Sequence, residues 1–187
     1  MARFGRGPTL PAQVRSLLEL DKRERVLAAA RLVDSRWLVA TTLALHIVGP
    51  DAARGDTHRP WDQVAAAVWS DTASMLQVTW VSGGAQLVVE LAGEGGHLPE
   101  VVRERVEASV VASRRFDVQG RRGVRVAIRR THPGAELTTQ VVADRGVNLH
   151  DPAVAARVAA ELADLREQAG MRPVKLPRLD SNQRPSD

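Results

Sequence analysis

Between residues 25 and 91 the apolar positions fall in short runs separated by turn-forming residues, and their period is close to two. This spacing predicts strands over 25–33, 37–42, 43–48, 61–69, 75–81 and 86–91. The breakers sit where hairpins need them, at Gly49-Pro50-Asp51, Ser70-Asp71 and Ser82-Gly83-Gly84. The first run is ambiguous, because Leu27 and the alanines at 28 to 30 favour helix by propensity. Asp34-Ser35 ends it too early for one, so it reads as a strand. Strands this closely spaced imply a curled antiparallel sheet or a small barrel. All four Trp (37, 61, 69 and 80) lie here and are candidates for its core.

Beyond the glycine-rich stretch 93–96 the period changes. Pro99 suits a first helical turn, and Val102, Val106 and Val110 recur four apart while Glu100, Arg103, Glu104 and Glu107 face away. A helix over about 100–112 is expected to close the preceding sheet. A second β unit follows at 116–118, 123–130 and 136–142, with turns at Gln119-Gly120 and His132-Pro133-Gly134. Asp151 then reads as an N-cap with Pro152 at the first helical position, and Val154, Val158, Leu162 and Leu165 form one stripe ending before Gly170. Near the N-terminus Pro11 opens a short helix whose Val14, Leu17 and Leu18 share a face. The expected fold class is α+β. It divides into an extension at 1–22, a sheet domain with its helix at 23–113, a basic hairpin plus helix at 114–170, and a disordered tail at 171–187.

The stretch from Glu24 to Val111, with "RVLAAARLVDSRWLVATTLALHIV", "HRPWDQVAAAVW" and "LPEVVRERVEASVV", resembles an uncharacterised family of actinobacterial proteins and, more distantly, bacterial PH-like domains. In that pattern one strand ends in Ala40-Thr41-Thr42, the next carries Leu45, His46 and Ile47, and Pro60-Trp61-Asp62 leads into the sheet. The resemblance implies an antiparallel sheet closed by a helix, used as a binding platform and not as an enzyme. Two departures narrow it. The first hairpin carries only Asp34-Ser35 at its tip, without the Lys and Arg cluster of phosphoinositide-binding PH domains, and the closing helix lacks a Trp. The tail "LDSNQRPSD", residues 179–187, resembles the translation of the strand opposite a tRNA gene, an accident of gene layout that bears on no tRNA binding.

Composition changes the picture mainly by exclusion. In 187 residues there is no Cys, which removes disulfides, thiolate metal sites and Cys nucleophiles, and fits a reducing compartment. The N-terminus has no apolar core of a signal peptide, and the most apolar stretch, 37–48, is too short to span a bilayer. A cytoplasmic protein without a membrane span is expected. The sequence holds no P-loop, dinucleotide fingerprint, HExxH, GxSxG or EF-hand loop, so no enzymatic activity, catalytic residue or cofactor is expected. Asp56, His58 and Asp62 supply metal-type ligands, but their spacing fits no established site and no metal is expected. His46 reads as a hydrogen-bonded sheet histidine, and the glycines at 93–96 as a connector.

The basic residues are 26 against 22 acidic, nearly all of them Arg, which codon supply in a GC-rich genome would favour. Their distribution carries more information than their number. Residues 35–97 sum to −3 and residues 98–150 to +4, and Arg114, Arg115, Arg121, Arg122, Arg125, Arg129 and Arg130 crowd one short segment. Strand alternation places Val124, Val126 and Ile128 on one face and Arg125, Ala127 and Arg129 on the other. Arg125 and Arg129, rimmed by Arg121 and Arg122, are therefore the candidate anion-binding site. A guanidinium forks onto phosphate or carboxylate, so the partner is an acidic protein or nucleic acid. With no Tyr in the chain and Phe116 alone nearby, single-stranded nucleic acid is disfavoured. The expected function is a binding or scaffolding module of unknown partner, with a nucleic-acid or polyanion-binding accessory protein as the alternative.

Overall fold

The computed structural model describes residues 10–49, 57–93 and 95–170. The fold is α+β, built from three antiparallel sheets that stay separate and do not close into barrels. Strands β1 (Val26–Arg31), β2 (Trp37–Thr41), β3 (Ala44–Val48) and β4 (Thr57–Pro60) form the first sheet in sequential order. The second holds β5 (Val64–Ser70), β6 (Met75–Trp80) and β7 (Leu87–Glu90). Helix α2 (Leu98–Ser109) packs against β5, β1 and β2. The third sheet, ordered β10-β9-β8, comprises β8 (Val110–Gln119), β9 (Arg122–Arg129) and β10 (Thr138–Ala143), and is covered by α3 (Pro152–Gln168). The short α1 (Ala12–Ser16) precedes them all.

The main core forms where the first two sheets and α2 meet. Leu38, Ala40, Leu45 and Ile47 alternate inward from β2 and β3 to meet Leu76 and Val78 of β6, Val64, and Leu98, Val102 and Val106 of α2. The sheets are joined at one corner, where Ala92 N donates to Arg31 O at 2.8 Å and Val33 N to Glu90 O at 3.1 Å. Trp61 is the one Trp fully enclosed, its Nε1 donating to Thr41 O at 3.0 Å; Trp69 and Trp80 lie at the margin of this core. The outer face of the first sheet is covered by α1 and its flanks, with Leu10, Val14 and Leu18 on Val39 and Val48. Leu17, expected on that face, is exposed.

Two expected boundaries move and one strand is added, each for a physical reason. The strand expected from Trp61 begins at Val64, because Pro60 at the end of β4 turns the chain into a 3₁₀ turn over Trp61–Gln63. Strand β4 itself escapes a hydrophobic pattern, being polar and ending in Pro as edge strands tolerate. The helix expected to reach residue 112 stops at Ser109, since Val110 pairs with Arg129 and draws the chain into β8. The i+4 recurrence at Val110 continues on paper only. The two β-branched residues at 110 and 111 suit the ladder better than another helical turn.

Helix α3 matches its expected bounds. The Asp151 carboxylate accepts from Ala153 N at 2.9 Å and Val154 N at 3.1 Å, and Val154, Val158, Leu162 and Leu165 pack on Phe116, Val124, Val126 and Ile128. The expected tail lies outside the described residues.

Val106 sits over the main core and Arg103, one turn earlier, is exposed. Val106→Asp is expected to cost about 3 kcal/mol or more, as an unpaired carboxylate is forced into apolar surroundings, and Arg103→Ala about half a kcal/mol or less. Equilibrium urea denaturation of both variants checks this, and equal stabilities would show that α2 does not close the sheets.

Candidate functional site

Alternation along β9 places Arg125, Ala127 and Arg129 opposite the α3 face, as expected, but that face is not open along its length. Arg125 is exposed, whereas Arg129 is only 5% exposed. The Arg129 side chain is used up within the protein. Its Nε donates to Gln140 Oε1 at 2.6 Å, Nη1 to Ser109 Oγ at 2.7 Å and Val64 O at 3.0 Å, and Nη2 to Ala65 O at 3.1 Å. Burial lowers its pKa from the usual arginine value, opposed by the charge of Asp62 and reinforced by that of Arg125. Arg129 is therefore a strut between the third sheet and the rest of the molecule, and the candidate site loses it. Arg121, Arg122 and Arg125 remain exposed.

The neighbouring arginines are partly neutralised by acids distant in sequence. Arg114 pairs with Glu161 at 2.7 Å and reaches Asp164 at 3.4 Å, and Arg115 pairs with Asp144 at 2.6 Å. Asp144 also accepts from Gly123 N at 2.8 Å. The Arg115 guanidinium, followed by this amide, lowers the Asp144 carboxyl from its usual range to about 2.

A second basic surface has no counterpart in the local sequence pattern. A groove of about 900 Å³ runs between the start of β1, the β2–β3 turn, α2 and the β9–β10 connection. Among the described residues, Arg23, Arg25, Arg105, Arg130 and His132 line it with one acid, Asp21, and with Leu27, Leu43, Ala108 and Pro133. Among the described residues, the side chains of these four arginines form no ion pair and no hydrogen bond; Arg23 and Arg25 bond to Asp21 and Thr42 only through their backbone atoms. Arg105 Nε is also buried without a hydrogen-bond partner, and no other buried side-chain nitrogen or oxygen among the described residues shares that condition. A buried donor left unpaired costs free energy. The four arginines come from three segments, so no run of charge in the sequence marks them.

On the outer face of the first sheet lies a third cluster. His46 of β3 is buried, its Nε2 3.0 Å from Glu24 Oε1, and Glu24 also accepts a short hydrogen bond from Thr41 Oγ1. Burial pushes the Glu24 carboxyl up, but hydrogen bonds from Thr41, His46 and the Asp21 amide outweigh it and leave it lowered. Burial lowers His46 more than Glu24 raises it, so at neutral pH a neutral imidazole meets a carboxylate. The hydrogen-bonded sheet histidine expected from the sequence is present; its partner, 22 residues upstream, is not legible there. Of Asp56, His58 and Asp62, only the last two are described. Asp62 accepts from Thr131 and Thr138, and His58 stacks at a tilt against His46 with ring centroids 4.8 Å apart.

Compared with known proteins, the chain matches no family model, no curated protein and no solved structure. No helix among the described residues is long and apolar enough to cross a membrane.

Arg129→Ala is expected to destabilise the fold by about 3 kcal/mol or more, because four acceptors lose their buried donor together. Arg129→Lys should also destabilise, as one ammonium cannot span the fork. A loss below about 1 kcal/mol in urea denaturation would contradict this. The lowered pKa of Asp144 means that the folded chain binds fewer protons than the unfolded one in mildly acidic solution. Its contribution is present above about pH 4 and lost as the pH falls towards about 2. The melting temperature of Asp144→Asn should therefore fall less steeply than that of wild type over this range, and parallel profiles would refute the pairing.

Proposed function

We propose that this protein is a cytoplasmic, non-enzymatic binding module whose partner is an acidic segment of another protein, held in the groove lined by Arg23, Arg25, Arg105 and Arg130. The observation that carries the reading is that four arginines from three segments line one groove and no carboxylate of the described residues engages their side chains. Guanidinium groups of this kind favour carboxylate or phosphate. Leu27, Leu43, Ala108 and Pro133 between the charges suit a polypeptide carrying apolar side chains among its acids. Among the described residues no Trp or Phe lines the groove, so they offer no ring platform of the kind that single-stranded nucleic acid uses.

The PH-like resemblance belongs to the same reading. It is supported by a four-stranded and a three-stranded antiparallel sheet followed by a helix packed on both. The absence of Cys supports the cytoplasmic location. The original candidate surface survives only as Arg121, Arg122 and Arg125, which serves as the comparison.

The test is fluorescence anisotropy with a Glu-rich, Leu-containing peptide, duplex DNA and single-stranded RNA at several salt concentrations. Wild type should bind the peptide most tightly, and less so as salt rises. Arg105→Glu/Arg130→Glu should weaken binding at least about tenfold, worth about 1.4 kcal/mol, and Arg121→Glu/Arg125→Glu should have little effect. Tighter binding of DNA or RNA would replace the protein partner with a nucleic acid. Peptide binding indifferent to the groove substitutions would refute the groove.

A further inference from the structure

The cluster on the outer face of the first sheet brings a buried carboxylate and two imidazoles together. Glu24 contributes a carboxylate whose side chain is 4% exposed, and its partners are a hydroxyl, a backbone amide and the imidazole of His46. No Lys or Arg among the described residues pairs with it. A buried anion without a compensating cation is costly. Directly across the sheet from His46 is His58, in register on β4. One ligand atom each from Glu24, His46 and His58 lies within 4.8 Å of the others.

We propose that Glu24, His46 and His58 form a three-ligand binding site for a divalent transition-metal cation of the zinc class. Two imidazole nitrogens and one carboxylate oxygen are borderline donors that suit Zn²⁺, Co²⁺ or Ni²⁺, whereas Ca²⁺ and Mg²⁺ take oxygen ligands. Bonds of about 2.0–2.2 Å in a tetrahedron place neighbouring ligand atoms about 3.3 Å apart. Glu24 Oε1 and His46 Nε2, at 3.0 Å, already approximate one edge. Both are held in place: Thr41 Oγ1 donates to the carboxylate, and the Asp21–Glu24 turn is closed by Glu24 N donating to Asp21 O at 2.9 Å. His58 is exposed on an edge strand, and among the described residues no hydrogen bond restrains its ring, so a side-chain rotation brings it into range. The cation places a positive charge beside Glu24, the His46 ring proton shifts to Nδ1 as Nε2 takes the metal, and water takes the fourth position. Thr41, through its hydroxyl on Glu24, acts as a positioning residue.

The three ligands of this site are not among the residues that line the arginine groove, although Glu24 lies between Arg23 and Arg25 in the chain. Its test is isothermal titration of the full chain with ZnCl₂, and with CoCl₂ followed by visible absorption. One Zn²⁺ per chain and the ligand-field bands of a four-coordinate Co²⁺ complex are expected. His58→Ala should weaken Zn²⁺ binding at least about tenfold while the metal-free melting temperature stays close to wild type, since His58 is exposed. His97→Ala and His132→Ala should bind as wild type does. Absence of saturable binding up to about 1 mM Zn²⁺, or binding that survives His58→Ala, would overturn the proposal.

Discussion

The buried guanidinium of Arg129 is the interaction on which the arrangement of this molecule depends. It sits at the end of β9, where the third sheet meets the first part of the chain, and donates to β5, to the end of α2 and to β10. Val64 O and Ala65 O are carbonyls of a strand, and Ser109 Oγ belongs to the last residue of a helix. Without a donor of this reach, both would be buried with fewer partners. The planar fork of Arg meets several acceptors at once, which explains why a charge is tolerated at a position only 5% exposed. Asp62, bonded to Thr131 and Thr138, reinforces the junction beside it.

That junction also sets the groove. Arg130 follows Arg129 directly, and its amide donates to Ser109 O at 2.8 Å, so the C-terminal turn of α2 and the end of β9 are held in register. Arg105 lies one turn before Ser109 on the same helix. The wall carrying Arg105 and the wall carrying Arg130 are thus held relative to one another by Ser109 and Arg129. A set of arginines drawn from three distant segments needs such a scaffold, because local geometry within one segment does not place it relative to the others.

Where the fold was legible in the sequence, a periodic pattern coincided with its own stop signals. Helix α3 carries an apolar stripe, an Asp cap and a Pro in its first turn, and every local preference agrees with the observed bounds. Helix α2 had the stripe but no stop, and its end was decided by the pairing of Val110 with Arg129, a contact no local pattern encodes. The candidate site was legible by halves. Alternation assigned Arg125 and Arg129 to one face correctly, yet it cannot say what that face meets, and the strand runs from solvent at Arg125 into a polar junction at Arg129. The partners of His46 and Arg105 depend on tertiary contacts, so the sequence showed the residue types without their grouping.

Arg129 couples the third sheet and α3 to the remaining structure, and native-state hydrogen exchange of backbone amides measures that coupling directly. The amide of Val78 in β6 reports one side of the junction and that of Val126 in β9 the other. In wild type the two are expected to exchange through the same global opening, with equal free energies and equal dependence on denaturant. In Arg129→Met they should separate, with Val126 opening at lower free energy than Val78. Separate openings already present in wild type, or openings that stay equal in Arg129→Met, would contradict the central role given to this side chain.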